Sequence, residues 1–167
     1  MHNPIMIAVW RLEGCSATRA WEPRFCATVN TIMAEIKIQL RQTEPSTSEA
    51  TIRTHKFLVD RPTAKGGADH GPMGGEYFLA SIGGCFMSTL LAAVRAREAA
   101  VANVQTEVVG TMAENPARFT GVELLVTGEC QDRELFEKLV QIAEGGCIMV
   151  NTLKGKIDLN VRIVVPA

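Results

Sequence analysis

Two cysteines occupy backbone positions that would aim a thiol rather than merely store it. Cys85 directly follows Gly83 and Gly84 in a long apolar stretch, where the missing side chains let a substrate or another backbone approach the sulfur. Cys147 follows Gly145 and Gly146 and precedes Ile148, Met149 and Val150, at a junction between elements rather than on a regular face. Each taken alone reads as a small core hydrophobe, since free cysteines are among the most buried residues. As a pair they suit an attacking thiolate and a thiol that resolves its sulfenic acid, although spacing sets no distance between them. Cys15, Cys26 and Cys130 complete an odd count of five without any Cys-x-x-Cys pair. That pattern fits neither a disulfide-stapled secreted scaffold nor a common zinc spacing, so reduced thiols in a cytoplasmic setting are expected. His55 and His70 lack a second histidine at ligand spacing, and no P-loop or dinucleotide glycine fingerprint occurs. No metal and no bound cofactor are therefore expected.

The elements that must position these thiols follow from periodicity. Over residues 35–41, Ile36, Ile38 and Leu40 alternate with Glu35, Lys37, Gln39 and Arg41, the period of a half-buried strand. Residues 42–49 carry Pro45 and several Ser and Thr, a loop, and residues 50–59 form a second strand, giving a hairpin. Pro62, Gly66, Gly67, Gly71 and Pro72 make residues 61–73 an irregular loop. Residues 75–100 form the longest helix, with Arg95 and Arg97 in its last turns, where a cation complements the helix dipole. No charge falls between Tyr77 and Val94, long enough to raise a membrane span, but Ser81, Gly83, Gly84, Ser88 and Thr89 dilute the hydrophobicity. A central helix buried on all sides of a globular core is expected instead.

Alternating runs at 104–112 and 119–127, divided by Asn115-Pro116, predict a second hairpin. Asp132 is the N-cap of a helix whose Leu135, Leu139 and Ile142 share a face and which ends at Gly145-Gly146. Ile157, Leu159, Val161 and Ile163 alternate with polar residues in a closing strand. The order β-β-α-β-β-α-β, with its hairpins, defines an α+β domain rather than a doubly wound sheet. It spans residues 33–167; residues 1–32, with Pro4, Trp10, Trp21 and Pro23 in no period, read as an N-terminal extension of unknown role. The apolar run at the start has no basic residue ahead of it and ends at Arg11, so it is not read as a secretory signal.

With 167 residues the chain is long enough for one domain that buries about 70% of its unfolded surface. Seventeen Lys and Arg against eighteen Asp and Glu leave a net charge of −1, which provides no global field for nucleic acid or an anionic membrane. Glu76 would fall in the first turn of the long helix, where the dipole favours a carboxylate.

The stretch Gly66-Gly67-Ala68-Asp69-His70-Gly71-Pro72-Met73-Gly74-Gly75-Glu76-Tyr77-Phe78-Leu79-Ala80-Ser81-Ile82-Gly83-Gly84-Cys85 resembles the glycine loop, glutamate and cysteine-bearing helix of the OsmC/Ohr family of osmotically inducible and organic hydroperoxide resistance proteins. Ala143-Glu144-Gly145-Gly146-Cys147-Ile148-Met149-Val150-Asn151-Thr152-Leu153-Lys154-Gly155 resembles its second cysteine segment. The resemblance covers about residues 34–165 and implies an OsmC-like fold in an intertwined homodimer with paired active sites at the interface. It further implies a thiol peroxidase. Cys85 attacks an organic hydroperoxide, its sulfenic acid condenses with Cys147, and an external dithiol of the lipoyl type reopens the disulfide. Glu76 and Arg41 are its implied catalytic partners. Arg41 is placed by the family's arginine in the N-terminal hairpin region, with Arg53 and Arg61 as competitors.

In the hydroperoxide-reductase branch the acid lies ten residues before the cysteine, where this chain has Gly75; Glu76, nine before it, matches the broader OsmC-like branch. Nine steps along a straight helix put Glu76 on the face opposite Cys85 and about 13 Å away, so the two meet only through a bend or across a dimer. Apolar surroundings would favour alkyl peroxides, with Phe78, Phe86, Met87 and Met149 as candidate lining. Two other readings compete: a hydrolase or acyl-transfer enzyme with Cys85 as nucleophile, and a non-catalytic module binding a small apolar ligand at the dimer interface. Sulfurs close enough to bridge favour redox cycling over both.

Overall fold

The computed structural model describes residues 35–164. The chain divides into two units, Met1–Ile36 and Lys37–Ala167, and among the described residues every strand and helix belongs to the second. The N-terminal extension expected over residues 1–32 lies outside the described residues. The α+β class is as the sequence implies: two three-stranded sheets accompany three helices among the described residues.

The first sheet is an antiparallel meander of β1 (Gln39–Gln42), β2 (Ser48–Ile52) and β3 (His55–Val59). The single strand expected over residues 50–59 is two. Arg53 adopts a left-handed conformation, φ 56°, that turns the chain back and sets Ile52 opposite His55. β1 is also shorter than the alternation implies and is not half-buried, for Ile38 and Leu40 stand exposed. Their apolar period is real, yet nothing among the described residues covers it. The loop that follows β3 contains a 3₁₀ turn at Thr63–Lys65 and leads into α1 (Gly74–Ala96).

The second sheet carries the core. The strands β4 (Val101–Glu114) and β5 (Ala117–Cys130) form a long hairpin turned at Asn115-Pro116, and β6 (Asp158–Ile163) pairs parallel to β5. One face of β5 offers Val122, Leu124 and Val126 to the stripe Ile82, Phe86, Leu90 and Ala93 of α1. The helix α2 (Arg133–Gly146) adds Phe136, Leu139, Val140 and Ala143. Each fully buried Phe or Leu contributes about 1.5–3 kcal/mol relative to exposure. Gly83 makes the helix-to-sheet approach possible, since a Cβ there would stand 2.7 Å from Val108 Cγ2.

Two expectations about helices need correction. α1 is long and apolar enough to cross a membrane by length and composition, but it is not buried on all sides within this chain. One stripe meets the second sheet, and Ala80, Ser81, Gly84, Ser88 and Leu91 stand exposed because no described element covers that side. In α2 the buried face is Phe136, Leu139, Val140 and Ala143, while Ile142 is exposed. Asp132 does cap it, accepting from the Leu135 N–H at 2.9 Å. A further helix, α3 (Ile148–Leu153), starts directly after Cys147; six residues are too few for a helical period to register in sequence.

Candidate functional site

The two thiols lie where α1, α2 and α3 converge. Cys85 sits midway along α1, and the Thr89 hydroxyl, one turn on, donates to its carbonyl at 2.9 Å. Gly146 packs against that same turn, so closely that a Cβ would approach Thr89 Cγ2 to 3.0 Å. Cys147 closes α2 and opens α3, with φ −77° and ψ 118°, and its carbonyl accepts the Asn151 N–H at 3.0 Å. The Asn151 amide in turn donates to the Gly145 carbonyl at 2.9 Å, fastening the junction. The glycines flanking the thiols thus differ in use: Gly83 and Gly146 permit close packing, whereas Gly84 points into open space.

Cys147 is fully buried and Cys85 half-buried. Burial pushes the Cys85 thiol up, but the Met149 N–H, the Cys147 thiol and the Ile148 N–H donate to its sulfur and together hold it below the ordinary thiol range. For Cys147, burial again pushes upward and the neighbouring Cys85 adds to it, outweighing help from the Val150 and Met149 N–H groups. The two sulfurs are therefore within hydrogen-bonding reach and displaced in opposite directions. The half-open thiol is thus the more readily ionised of the two and the buried one the less.

Neither Glu76 nor Arg41 is among the groups acting on Cys85. Glu76 accepts the Met73 N–H at 2.7 Å, a cap on the start of α1, nine residues from the cysteine. Arg41 is exposed on β1 and pairs with Glu49 at 3.2 Å across the β1–β2 ladder, where Lys56 joins the same carboxylate at 3.0 Å. Of the four residues singled out from sequence, the structure brings together Cys85 and Cys147. The apolar lining is also redistributed. Phe86 is wholly inside the core, Phe78 stacks on Phe119, the Met87 sulfur accepts the Thr106 hydroxyl at 2.9 Å, and Met149 acts on the thiol through its backbone N–H.

Sequence reasoning overlooked Asp60, whose carboxylate is completely buried. It accepts the Arg61 N–H at 2.7 Å, the Ala68 and His70 N–H groups at 3.2 Å each, and the Thr47 hydroxyl at 3.0 Å. Burial pushes this carboxyl up, but those bonds, with the Ser46 hydroxyl, outweigh it and hold it well below the usual carboxylate range. His70 Nδ1 faces Thr47 Oγ1 and Glu44 Oε2, each at 3.2 Å. An acid placed directly after an apolar strand and before a glycine-rich loop was the signal available in sequence.

A thiol pair at the meeting of three helices, backed by a mixed sheet entered through a hairpin, defines an α+β protein built around two adjacent cysteines. A family model described as OsmC-like protein matches residues 66–162, more than half of the chain, and this chain belongs to that family. Among solved structures it is similar to the OsmC-like protein of Mycoplasma pneumoniae, with 17% identity and a TM-score of 0.71 over 80% of this chain and 99% of that one. It is also similar to a protein from Psychrobacter arcticus described as a putative osmotic stress induced and detoxification response protein, at 17% identity and a TM-score of 0.69 over 80% and 99%. The organic hydroperoxide resistance protein OhrB of Bacillus subtilis follows at 21% identity and 0.57 over 78% and 98%. These likenesses concern the fold. A search of curated proteins found no relative of this sequence.

Proposed function

We propose that this protein is a cysteine-based thiol peroxidase that reduces organic hydroperoxides. The observation that carries the reading is the adjacency of the two thiols where the helices converge, together with the opposite displacement of their acidities. The Cys85 thiolate attacks the distal oxygen of ROOH, forming an S–O bond as the O–O bond breaks; Cys85 becomes a sulfenic acid and the alkoxide leaves as ROH after protonation. The Cys147 sulfur then displaces hydroxide from Cys85, forming a disulfide and water. An external dithiol reduces that disulfide and is itself oxidised to a disulfide. The family's hydroperoxide-resistance members, such as that of Bacillus subtilis, support this chemistry. Adjacent thiols favour it over acyl transfer or inert binding.

The working form in this reading is a cytoplasmic homodimer. The outward face of α1, with Leu91 46% exposed beside Gly84 and Ser88, and the exposed Leu40 of β1 with Ile38 just before it are apolar surface that a second copy would cover. Glu76 and Arg41 then have a catalytic role only if that assembly brings them to a thiol of the other copy. Consumption of cumene hydroperoxide with a dithiol reductant is the test, using wild type, Cys85→Ser and Cys147→Ser with mass spectrometry of the disulfide. Turnover is expected in wild type, lost in Cys85→Ser, with a Cys85 to Cys147 disulfide formed on peroxide addition. No turnover and no disulfide would overturn the reading.

A further inference from the structure

We infer that Thr89 and Gly146 are a positioning pair: the contact between them sets the spacing of the two sulfurs and, through it, the rate at which the disulfide between Cys85 and Cys147 closes. This rests on the redox reading proposed above, in which those thiols are the reacting pair.

Residues four apart on a helix share a face, so Thr89 on α1 looks the same way as Cys85, toward the junction of α2 and α3. Its two branches are used differently. The hydroxyl donates to the Cys85 carbonyl at 2.9 Å, which fixes the rotamer of a β-branched side chain. The Cγ2 methyl meets Gly146, the residue directly before Cys147, where an added Cβ would stand 3.0 Å away. Neither partner gives way alone. Thr89 is held by its hydroxyl, and the last turn of α2 is tied to α3 by the Asn151 amide, which donates to the Gly145 carbonyl at 2.9 Å. The junction therefore approaches or retreats from α1 as one piece, and the buried Cys147 travels with it.

Disulfide closure depends steeply on that spacing, because the bond forms only over a narrow range of separations. A methyl at Gly146 pushes the junction, and Cys147 with it, away from α1 by a few tenths of an ångström. Misplacement on that scale costs about tenfold in rate. Thr89→Ser removes the methyl that Gly146 meets and keeps the hydroxyl bond, so it makes room for the added group. The pair therefore predicts suppression: Gly146→Ala is harmful with Thr89 in place and harmless in the Thr89→Ser background.

The experiment oxidises the thiol pair with diamide, which needs no peroxidase. One sulfur adds to the N=N bond of the reagent and the other displaces the hydrazine as the S–S bond closes, so two electrons and two protons pass to diamide. The rate of Cys85 to Cys147 disulfide formation is followed by peptide mass spectrometry on the full chain, in wild type, Gly146→Ala, Thr89→Ser and the double variant. A fall of about tenfold is expected in Gly146→Ala, with rates near wild type in Thr89→Ser and in the double variant. A double variant as slow as Gly146→Ala, or as unstable in urea, would overturn the inference, since the loss would then come from the glycine and not from the contact. An unchanged rate in Gly146→Ala would overturn it as well. Cumene hydroperoxide turnover is measured on the same proteins. Its absence in wild type removes the peroxidase reading, while suppression under diamide still supports the positioning pair; failure of diamide to join Cys85 to Cys147 in wild type overturns both.

Discussion

The carboxylate of Asp60, after β3, and the thiol of Cys85, on α1, are acidic groups drawn wholly or partly out of water, and their surroundings differ in kind. Asp60 is closed off completely and surrounded by donors from the preceding turn, its own successor and the far side of the loop. Cys85 remains half-open, with two backbone N–H groups and one thiol as donors. Both are held on the acidic side of their ordinary ranges. A fully enclosed anion has no face left for a substrate, so its donors serve architecture; an anion with an open face and a stabilised charge is a nucleophile.

The most disruptive way to test this contrast is Asp60→Ala. It strands the Ala68 and His70 amides and the Thr47 hydroxyl without their acceptor, in a loop where Gly67 lies against the Arg61 carbonyl and Gly71 against that of Leu58. Hydrogen exchange at Ala68 and His70 should accelerate about a hundredfold, with Asp60→Asn in between and the β4–β5 hairpin unaffected. Retained protection in Asp60→Ala would break the contrast, because the carboxylate would then be a passenger in a loop held by other means.

The same carboxylate governs acid stability. Its folded pKa lies below that of the unfolded chain, so below about pH 4 the unfolded state binds the extra proton and stability falls as pH falls. Above that range its contribution is fully present. Urea midpoints measured from pH 6 down to pH 3 should decline in wild type and decline less in Asp60→Asn; parallel curves would remove Asp60 as the source.

The contrast also explains what was legible in sequence. The β4–β5 hairpin, the Asp132 cap and the closing strand follow from local period and local turn chemistry, and the sequence reading had them within a few residues. Arg53 hid one strand boundary, because a left-handed arginine carries no compositional mark. For the site, the glycines beside Cys85 and Cys147 flagged the two thiols that the fold brings together. Their electrostatics was illegible, because the donors are backbone N–H groups of residues 148 and 149, which every residue type except proline supplies. Asp60 was passed over for a related reason: its importance comes from five partners spread over residues 46–70, and no fixed spacing announces such a set. The outward-facing apolar residues on β1 and α1 misled in the opposite direction, since a period records that a face is apolar and not what covers it.

A subtler test addresses the thiol side. Cys147→Ala removes one of the three donors to Cys85 and should raise the pH at which Cys85 alkylation reaches half its maximal rate; Cys147→Ser, which keeps an O–H donor, should raise it less. Iodoacetamide rates against pH provide the measurement. An identical profile in Cys147→Ala would mean that the backbone N–H groups alone hold the thiolate and that Cys147 has no part in activating it.

The smallest expected effects come from two adjacent glycines, which divide α1 into its covered and uncovered faces. Gly83→Ala pushes a methyl to 2.7 Å from Val108 Cγ2, on a strand that cannot retreat without disturbing its pairing with β5, so a loss of about 1–3 kcal/mol is expected in urea unfolding. Gly84→Ala meets nothing within 4 Å among the described residues, and at a helical position with no steric cost it should stabilise by about 0.4–1 kcal/mol through the unfolded state. The two substitutions add the same methyl to neighbouring residues of one helix, so propensity cancels between them and the difference reports contact alone. Run at several protein concentrations, the Gly84→Ala series also tests whether a second copy lies against that face. Stabilisation at low concentration that turns into a deficit at high concentration means that the methyl obstructs self-association, whereas a concentration-independent gain leaves this part of α1 open to solvent.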